Sequence, residues 1–365
     1  FHMDMKQGCG CLTKAIGAYM IVYEGHFDND KCSGRGLLSC TDGMQFEGNF
    51  KNDKKCGRGT LVEANGSVYV GDYLNDLRHG QGKSTAPDGC VYEGEYVKGM
   101  RHGKGIMFYA NGDVYTGEWV ADARSGEGEI CCSSGDKFSG NFENNMKHGK
   151  GEYVTSSGFS FKGHFNRDQK NGFGVSVNSA GDKYEGEYCN NIRHGYGKFT
   201  WSTGDSYEGN WEHDVSSGQG KYVWANGDKY EGEWKNNCKE GAGCFTGSEG
   251  DSFIGEFSCD KKKQGTYTYC DGSVYVGTWK NDMKHGRGKY MINVSCFYDG
   301  QYNEGSRQGQ GKYVYDDGST YDGEWHMDMR HGQGVYTWPN GSLFMGLFYL
   351  DHMETEKGRL VLKDT

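Results

Sequence analysis

The sequence predicts an all-β protein: an elongated, twisted, single-layer array of about fifteen β-hairpin repeats, most of them 23 residues long. Three observations predict it. The motif aromatic-x-Gly-x-aromatic recurs fifteen times between Tyr23 and Phe348. Glycine supplies 62 of the 365 residues and proline only 2, while aromatic residues make up 14%. Turn residues separate short strand-like segments at regular spacing, as hairpin repeats require.

The repeats are counted from the first aromatic residue of each motif, which is called position zero. Every interval is 23 residues except the 22 between Phe253 and Tyr275. The residues at position zero are Tyr23, Phe46, Tyr69, Tyr92, Tyr115, Phe138, Phe161, Tyr184, Tyr207, Tyr230, Phe253, Tyr275, Tyr298, Tyr321 and Phe344.

No second composition interrupts this series, so the predicted organisation is one array. It divides into a degenerate partial repeat at 1–22, fourteen repeats at 23–343, and a degenerate last repeat at 344–365 that acts as a cap or dimer contact. The segment "HMDMKQGCG" near the start parallels "HMDMRHGQG" at 326–334. A further repeat is therefore expected upstream.

Each repeat predicts a strand A near −1 to +5 and a strand B near +11 to +17. Glycine stands at +2 in every repeat and at +13 in all but the last, allowing for the short eleventh repeat, and an aromatic stands at +4 in every repeat. If +4 faces +11, then +2 faces +13 and zero faces +15. One face then carries aromatic residues and glycines, and the glycines leave room for neighbouring rings.

The opposite face would pair +1 with +14 and +3 with +12. Opposite charges stand at these offsets in Glu185/Lys198, Glu208/Lys221, Asp299/Lys312 and Glu95/Lys104. Each such cross-strand pair contributes only about 0.2–1 kcal/mol, but repetition favours the register. Because one hairpin cannot bury its aromatic face alone, stability must come from stacked neighbours.

Composition limits the partners and the compartment. A net charge of −10 disfavours nucleic acid and acidic membranes unless a local basic stripe exists. No apolar run is long enough for a transmembrane helix, and the start does not read as a signal peptide. The 14 cysteines show no CxxC, and Cys9/Cys11 and Cys131/Cys132 are the only close pairs, which favours reduced thiols in the cytoplasm.

The segments "YEGEYVKGMRHGKG", "YEGEYCNNIRHGYG" and "YDGEWHMDMRHGQG" resemble the MORN repeat (membrane occupation and recognition nexus). A pure array of this length resembles MORN scaffold proteins of protist cytoskeletons and of axonemes. The resemblance implies a cytoskeleton-associated protein of the cilium or flagellum, basal body or cortex, and a homodimer through terminal repeats. It also implies cytoskeletal or axonemal partners such as tubulin or coiled-coil proteins. No enzymatic activity, cofactor or metal is expected.

Three recurrent patterns are candidate sites. The Gly-x-Gly segments lack the following helix that a phosphate loop needs. Histidine recurs at +10, at positions too far apart to chelate one ion, and a turn-stabilising role is expected for it.

A basic residue at +9 forms the third pattern, here called the basic row, and is placed by the sequence at a hairpin turn. The row comprises Lys55, Arg78, Arg101, Arg124, Lys147, Lys170, Arg193, Lys239, Lys284, Arg307 and Arg330, with Lys262 in the short repeat. One interpretation is solubility and turn anchoring. The other is a dock for an acidic partner or for phosphoinositide headgroups. If the row is such a dock, reversing the charge of Arg78, Arg101 and Arg124 is expected to abolish partner binding without changing the melting temperature.

Overall fold

The computed structural model describes residues 5–363, so residues 1–4 of the predicted partial repeat and residues 364–365 lie outside it. The described residues form strands, turns and short connections, without a helix. They fall into two compact units, one that reaches Ser179 and includes Tyr188–Asn191, and one of Ala180–Glu187 with the residues from Ile192 onward. The expected all-β hairpin array is confirmed.

The first unit contains fifteen complete strands. They are β1 Gly8–Ile16, β2 Tyr19–Asp28, β3 Lys31–Cys40, β4 Gln45–Lys51, β5 Lys54–Val62, β6 Val68–Leu74, β7 Leu77–Thr85, β8 Val91–Val97, β9 Met100–Phe108, β10 Val114–Val120, β11 Ala123–Cys131, β12 Lys137–Glu143, β13 Met146–Val154, β14 Ser160–Asn166 and β15 Gln169–Val177. From β1 to β15, neighbours along the chain pair antiparallel.

Strand β16 (Lys183–Cys189) supplies residues to both units. The second unit continues with fifteen more strands. They are β17 Ile192–Thr200, β18 Ser206–Glu212, β19 Val215–Val223, β20 Lys229–Lys235, β21 Cys238–Thr246, β22 Ser252–Ser258, β23 Lys261–Thr268, β24 Val274–Lys280, β25 Met283–Met291, β26 Phe297–Asn303, β27 Ser306–Val314, β28 Thr320–His326, β29 Met329–Thr337, β30 Leu343–Tyr349 and β31 His352–Val361. They also pair antiparallel in chain order.

The hairpin turn occupies +6 and +7, and both residues have a positive φ. In the third repeat Asn75 and Asp76 have φ values of 51° and 72°. Two left-handed residues define a type I′ turn, whose twist matches that of the paired strands. This requirement explains why +7 is Asp, Asn or Gly in all fifteen repeats, since these residues tolerate the left-handed region best.

Between the turn and the glycine pair, strand B contains a β-bulge. In the fifth repeat Gly117 pairs with Gly128 and Trp119 pairs with Arg124, so three residues of strand B oppose one of strand A. Gly126, inside the bulge, has a φ of 67°, a conformation in which a β-carbon is strained. The first glycine of the Gly-x-Gly pattern is therefore needed because the backbone is left-handed at that position.

The bulge corrects part of the predicted register. Position zero does face +15 and +2 does face +13, as Tyr92↔Met107 and Gly94↔Gly105 show in the fourth repeat. The prediction that +4 faces +11 within the hairpin is wrong, because the bulge brings +9 opposite +4. Position +11 instead faces +4 of the following repeat, as in Gly103↔Trp119. Strand B consequently runs from +8 to +16, starting three residues earlier than expected.

The aromatic face is the core. The ring at position zero covers the glycine pair of its own hairpin, and its hydroxyl, where present, donates to the carbonyl of +3, as Tyr115 does to Glu118 at 3.0 Å. Each such ring in repeats one to seven and nine to fourteen also meets two aromatic residues at +4, one in its own repeat and one in the next. Tyr115 meets Trp119 at 5.3 Å and Phe142 of the next repeat at 5.1 Å between centroids, both edge to face. Within each unit these contacts join successive hairpins into one buried row.

Two irregular repeats keep this arrangement by changing the length of the bulge. In the short eleventh repeat, strand B has one residue more than strand A between the pairs Gly255↔Gly265 and Phe257↔Lys262, where other repeats have two. The missing residue is thus lost from the bulge, and the two-residue turn remains. In the last repeat Gly346 pairs with Gly358, one residue later than expected, and Phe344 covers Gly358.

Gly105→Ala is expected to destabilise the first unit by about 2–3 kcal/mol, because a crowded core accepts no extra methyl group without displacing the ring. A β-carbon at Gly105 would lie 2.6 Å from Cε2 and Cζ of Tyr92. Gly10 is the matched control: on β1 it faces Gly25 as Gly105 faces Gly117, but its β-carbon would lie 3.4 Å from the nearest atom, on Phe27. Native-state hydrogen exchange measures the loss of stability in both variants. Equal effects of the two substitutions would contradict the ring-over-glycine packing.

Alkaline pH is expected to unfold the protein from about pH 10.5 to about pH 12. Burial raises the pKa of Tyr115 and of Tyr23 from 10.0 to about 12. The unfolded chain releases these protons at lower pH than the folded chain, so stability falls as pH rises through this window. Burial lowers the pKa values of Lys55 and Lys147, so these lysines make the folded chain more stable as pH rises, but only up to their ordinary pKa of 10.5. Circular dichroism that stays unchanged up to pH 12 would refute the expectation.

Candidate functional site

The basic row lies inside strand B and not at the hairpin turn, contrary to the expectation from the sequence. Arg101 is the second residue of β9 and pairs with Tyr96 of β8. Because +9 faces the aromatic residue at +4, the row belongs to the aromatic face. The histidines at +10 likewise lie in strand B beside the bulge, as His102 opposite Glu95 does.

Every member of the basic row lies over an aromatic ring. Distances from the charged group to the nearest ring centroid range from 3.9 Å at Lys284 to 5.5 Å at Arg330. The tightest arginine contacts are with tryptophan, at 4.4 Å for Arg193 over Trp211 and 4.3 Å for Arg307 over Trp325. Such contacts are worth about 0.5–2 kcal/mol, rising as the cation is removed from water.

Contacts of this kind occur along the whole row. The remaining members and the rings nearest to them are Lys55 over Phe46, Arg78 over Tyr69, Arg101 over Trp119, Arg124 over Phe142, Lys147 over Tyr153, Lys170 over Phe159, Lys239 over Trp224 and Lys262 over Tyr267.

The arginines of the row also hold adjacent hairpins together. The backbone N–H of Arg101 donates to Asp122 Oδ1 at 3.0 Å, and the guanidinium donates to the same carboxylate at 2.9 Å and to the Asp122 carbonyl at 3.0 Å. The Asp122 N–H returns a bond to the Arg101 carbonyl. The same pattern recurs at Arg193/Asp214, Arg307/Asp328 and Arg330/Asp351.

These contacts leave little of the row exposed. The side chains of Arg101 and Arg193 are 25% exposed. Burial lowers the pKa of the row lysines Lys55, Lys147, Lys239, Lys262 and Lys284. Reversing a charge here would place a carboxylate against a ring and another acid. We therefore expect reversal to lower the melting temperature, contrary to the expectation from the sequence, and the acidic-partner role stays a prediction.

The polar face of the first unit forms a groove of about 1350 Å³, here called the polar groove. Backbone of the glycine pairs, including Gly94↔Gly105, lies along it, and side chains at +1, +3, +12 and +14 flank it. One pair across it is the Lys83–Glu93 ion pair, with Nζ and Oε1 2.5 Å apart. Of the ionisable lining residues, four are basic and six are acidic.

The predicted cross-strand charge pairs are present in part. Glu208 faces Lys221 and Asp299 faces Lys312, as expected. Glu95 and Lys104 do not face each other, because the bulge separates them. Lys104 faces Glu118 of the next repeat, and Glu95 Oε1 accepts the Lys104 backbone N–H at 3.1 Å. Among residues 5–363, no group of three or more His, Cys, Asp or Glu side chains has the geometry of a metal site.

A family model for the MORN repeat matches fourteen segments of the chain, beginning at the residue that the periodicity places at position zero. The segments are residues 23–45, 46–68, 69–91, 92–114, 115–137, 138–159, 161–183, 184–206, 207–229, 230–252, 253–274, 275–292, 298–320 and 321–343. The chain belongs to the MORN-repeat family. This family is generally a structural or binding module rather than an enzyme.

No curated protein matches this MORN-repeat chain. Among solved structures, the TCP domain of Drosophila melanogaster SAS-4, in complex with a proline-rich motif of Ana2, is 11% identical over 48% of this chain and 90% of that one, with a TM-score of 0.29. The TCP10 domain of Danio rerio CPAP, with a STIL peptide, is 12% identical over 75% and 94%, with a TM-score of 0.21.

A virginiamycin B lyase of Staphylococcus aureus is 10% identical over 82% of this chain and 93% of that one, with a TM-score of 0.13. With TM-scores below 0.5, these likenesses bear on neither the fold nor the function of the MORN-repeat chain. In the part that the structure describes, no helix is long and apolar enough to cross a membrane.

Arg101→Ala is expected to lower the stability of the first unit by about 1–2 kcal/mol, because it removes a ring contact and two charge-assisted hydrogen bonds. Arg35→Ala is the control. That residue pairs with Glu47, but its side chain is 80% exposed, and such surface pairs contribute less than about 1 kcal/mol. Urea unfolding compares the two. A smaller loss for Arg101→Ala than for Arg35→Ala would show that the row is not structural.

Proposed function

We propose that this MORN-repeat protein is a non-enzymatic cytoskeletal scaffold that binds protein partners along the polar face of its hairpins. Family membership supports a repeat scaffold or a membrane- or protein-binding module. The cytoskeletal role, with localisation to a basal body, axoneme or cortex, is proposed from the resemblance to pure MORN arrays. Homodimerisation through terminal repeats is proposed on the same ground.

The observation that carries protein binding is the polar groove. Its lining alternates charges of both signs along a glycine floor, and residues such as Lys104 and Lys150 are exposed on it. A peptide segment offers matching charges and backbone groups, whereas an anionic lipid surface offers one sign only. The groove lies on the face that the fold does not use for its core.

Lipid binding through the basic row is the alternative function. The row occupies the same position, +9, in successive repeats. Its cations already contact rings and carboxylates, as at Arg101 and Arg330. A phosphoinositide headgroup would have to displace these partners. We therefore favour protein partners over lipids, and phosphoinositides remain the weaker ligand.

Charge reversal in the polar groove tests the proposal. The double variant Lys104→Glu/Lys150→Glu is expected to lose the cytoskeletal proteins captured with the wild-type chain from the cells that express it. Its melting temperature should fall only slightly, because both residues are exposed and the like charge set opposite Glu118 costs less than about 1 kcal/mol. Capture is measured by proximity labelling and by imaging of the tagged chain.

Arg101→Gln is the matched control in the basic row, and sedimentation with phosphoinositide vesicles at physiological salt is the second measurement. Two results together would favour the lipid alternative over the scaffold proposal. The groove variant would still capture the cytoskeletal proteins, and Arg101→Gln would abolish vesicle binding.

A further inference from the structure

Repeats three to five carry apolar residues at both +5 and +8, whereas repeats one, two, six and seven carry a charged or polar residue at +5. At +5 and +8, on either side of the hairpin turn, repeats three to five have the residues here called the apolar rim: Leu74, Leu77, Val97, Met100, Val120 and Ala123. The second repeat has Lys51 and Lys54 at the same positions, and the seventh has Asn166 and Gln169. The fold therefore does not require apolar side chains there.

Five of the six rim residues are exposed, Ala123 is partly buried, and the rim is continuous. Leu74 is 51% exposed, Leu77 is 47% and Val120 is 50%. Each turn pairs its two members directly, as in Leu74↔Leu77 and Val97↔Met100. A β-carbon on Gly99 would touch Leu77 Cδ2 at 3.9 Å, so the third and fourth hairpins adjoin at the rim.

The rim spans six adjacent strands, or roughly 24 Å at the usual strand spacing. Exposed apolar area concentrated in this way is characteristic of interaction sites.

The rim borders a row of carboxylates on the same face. Asp72, Glu95 and Glu118 occupy +3, two residues before the rim along each strand A, and all three line the polar groove. Within residues 5–363, none of these three carboxylates has a lysine, arginine or histidine nitrogen in ion-pair contact. Glu95 is held in place by the backbone N–H of Lys104. Arg58 faces Asp72 and Lys104 faces Glu118 on neighbouring strands, but neither reaches ion-pair distance. The face thus presents an apolar band beside three carboxylates without an ion-pair contact.

We infer that the apolar rim and its adjacent carboxylates bind a cationic amphipathic segment of a partner protein, with apolar side chains on the rim and lysine or arginine toward +3. This rests on the proposed function as a protein-binding array and assigns the binding to three of its repeats. Charge complementarity selects this occupant. An anionic membrane would meet the three carboxylates, and a second copy of the rim would bring like charges together.

Synthetic peptides test the chemistry on the intact chain. A peptide of alternating leucine and lysine is expected to shift the methyl NMR signals of Val97, Met100 and Val120. A serine–lysine peptide should bind about tenfold or more weakly, and a leucine–glutamate peptide should not bind. Equal affinity for the leucine–lysine and serine–lysine peptides would reduce the interaction to net charge and overturn the inference.

The triple variant Leu74→Ser/Val97→Ser/Val120→Ser is expected to weaken leucine–lysine binding by about tenfold or more. Serine on an exposed strand position keeps the hairpins folded, as Ser258 does at +5 of the eleventh repeat. Ile254→Ser is the control, because Ile254 is 64% exposed on the polar face but has no apolar rim around it. Loss of binding in the control, or unchanged binding in the triple variant, would contradict the site.

Photo-crosslinking of the full chain in its own cells then separates this inference from the proposed function. A benzophenone side chain at Met100 should cross-link to a protein segment that contains both apolar and basic residues. Cross-links from Met100 to lipid, to a second copy of the chain, or to acidic segments would refute the inference. Protein cross-links from Ser139, in the polar groove, without any from Met100 would contradict binding at the apolar rim but support the proposed scaffold function. Absence of protein cross-links at both positions would contradict both the inference about the rim and the proposed scaffold function.

Discussion

The fold depends on an aromatic ring seated over a pair of glycines. In each hairpin the glycine at +2 faces a second glycine, which is +13 except in the eleventh and last repeats, and the ring at position zero lies over both, so that neither can carry a β-carbon. The aromatic residues at +4 then pack edge to face against two such rings, as Tyr115 does with Trp119 and Phe142. A core is thereby assembled on one face of the strands, and each hairpin supplies part of its neighbour's burial.

The bulge is the second constraint, because it decides what lies beside those rings. Three residues of strand B opposite one of strand A bring +9 against +4, which places a cation over the aromatic row in twelve repeats. It also absorbs length changes. The eleventh repeat loses a bulge residue and the last gains one, while both retain the glycine pair and the two-residue turn. The packed positions stay in register because the variable residue lies where no ring packs.

Periodicity was sufficient to predict the strands, the glycine pair and the face that each aromatic residue occupies, because the side chains at zero, +2 and +4 alternate without exception. It was insufficient for the bulge. Gly103 and Gly105 are the same residue type two positions apart, yet one satisfies a left-handed backbone and the other lies under a ring. Without that distinction, the sequence misplaces the register near the turn and puts Arg101 at the hairpin turn.

The misassigned row shows where function can reside in such an array. A residue that recurs at one position in every repeat answers a requirement that every repeat shares, and here the basic row meets the aromatic core and the carboxylate of the next turn. Partner selection instead needs differences between repeats. Those differences lie on the polar face and around the turns, where Lys51 in one repeat becomes Leu74 in the next without cost to the core. The regular positions hold the array together, and the irregular ones are free to distinguish one partner from another.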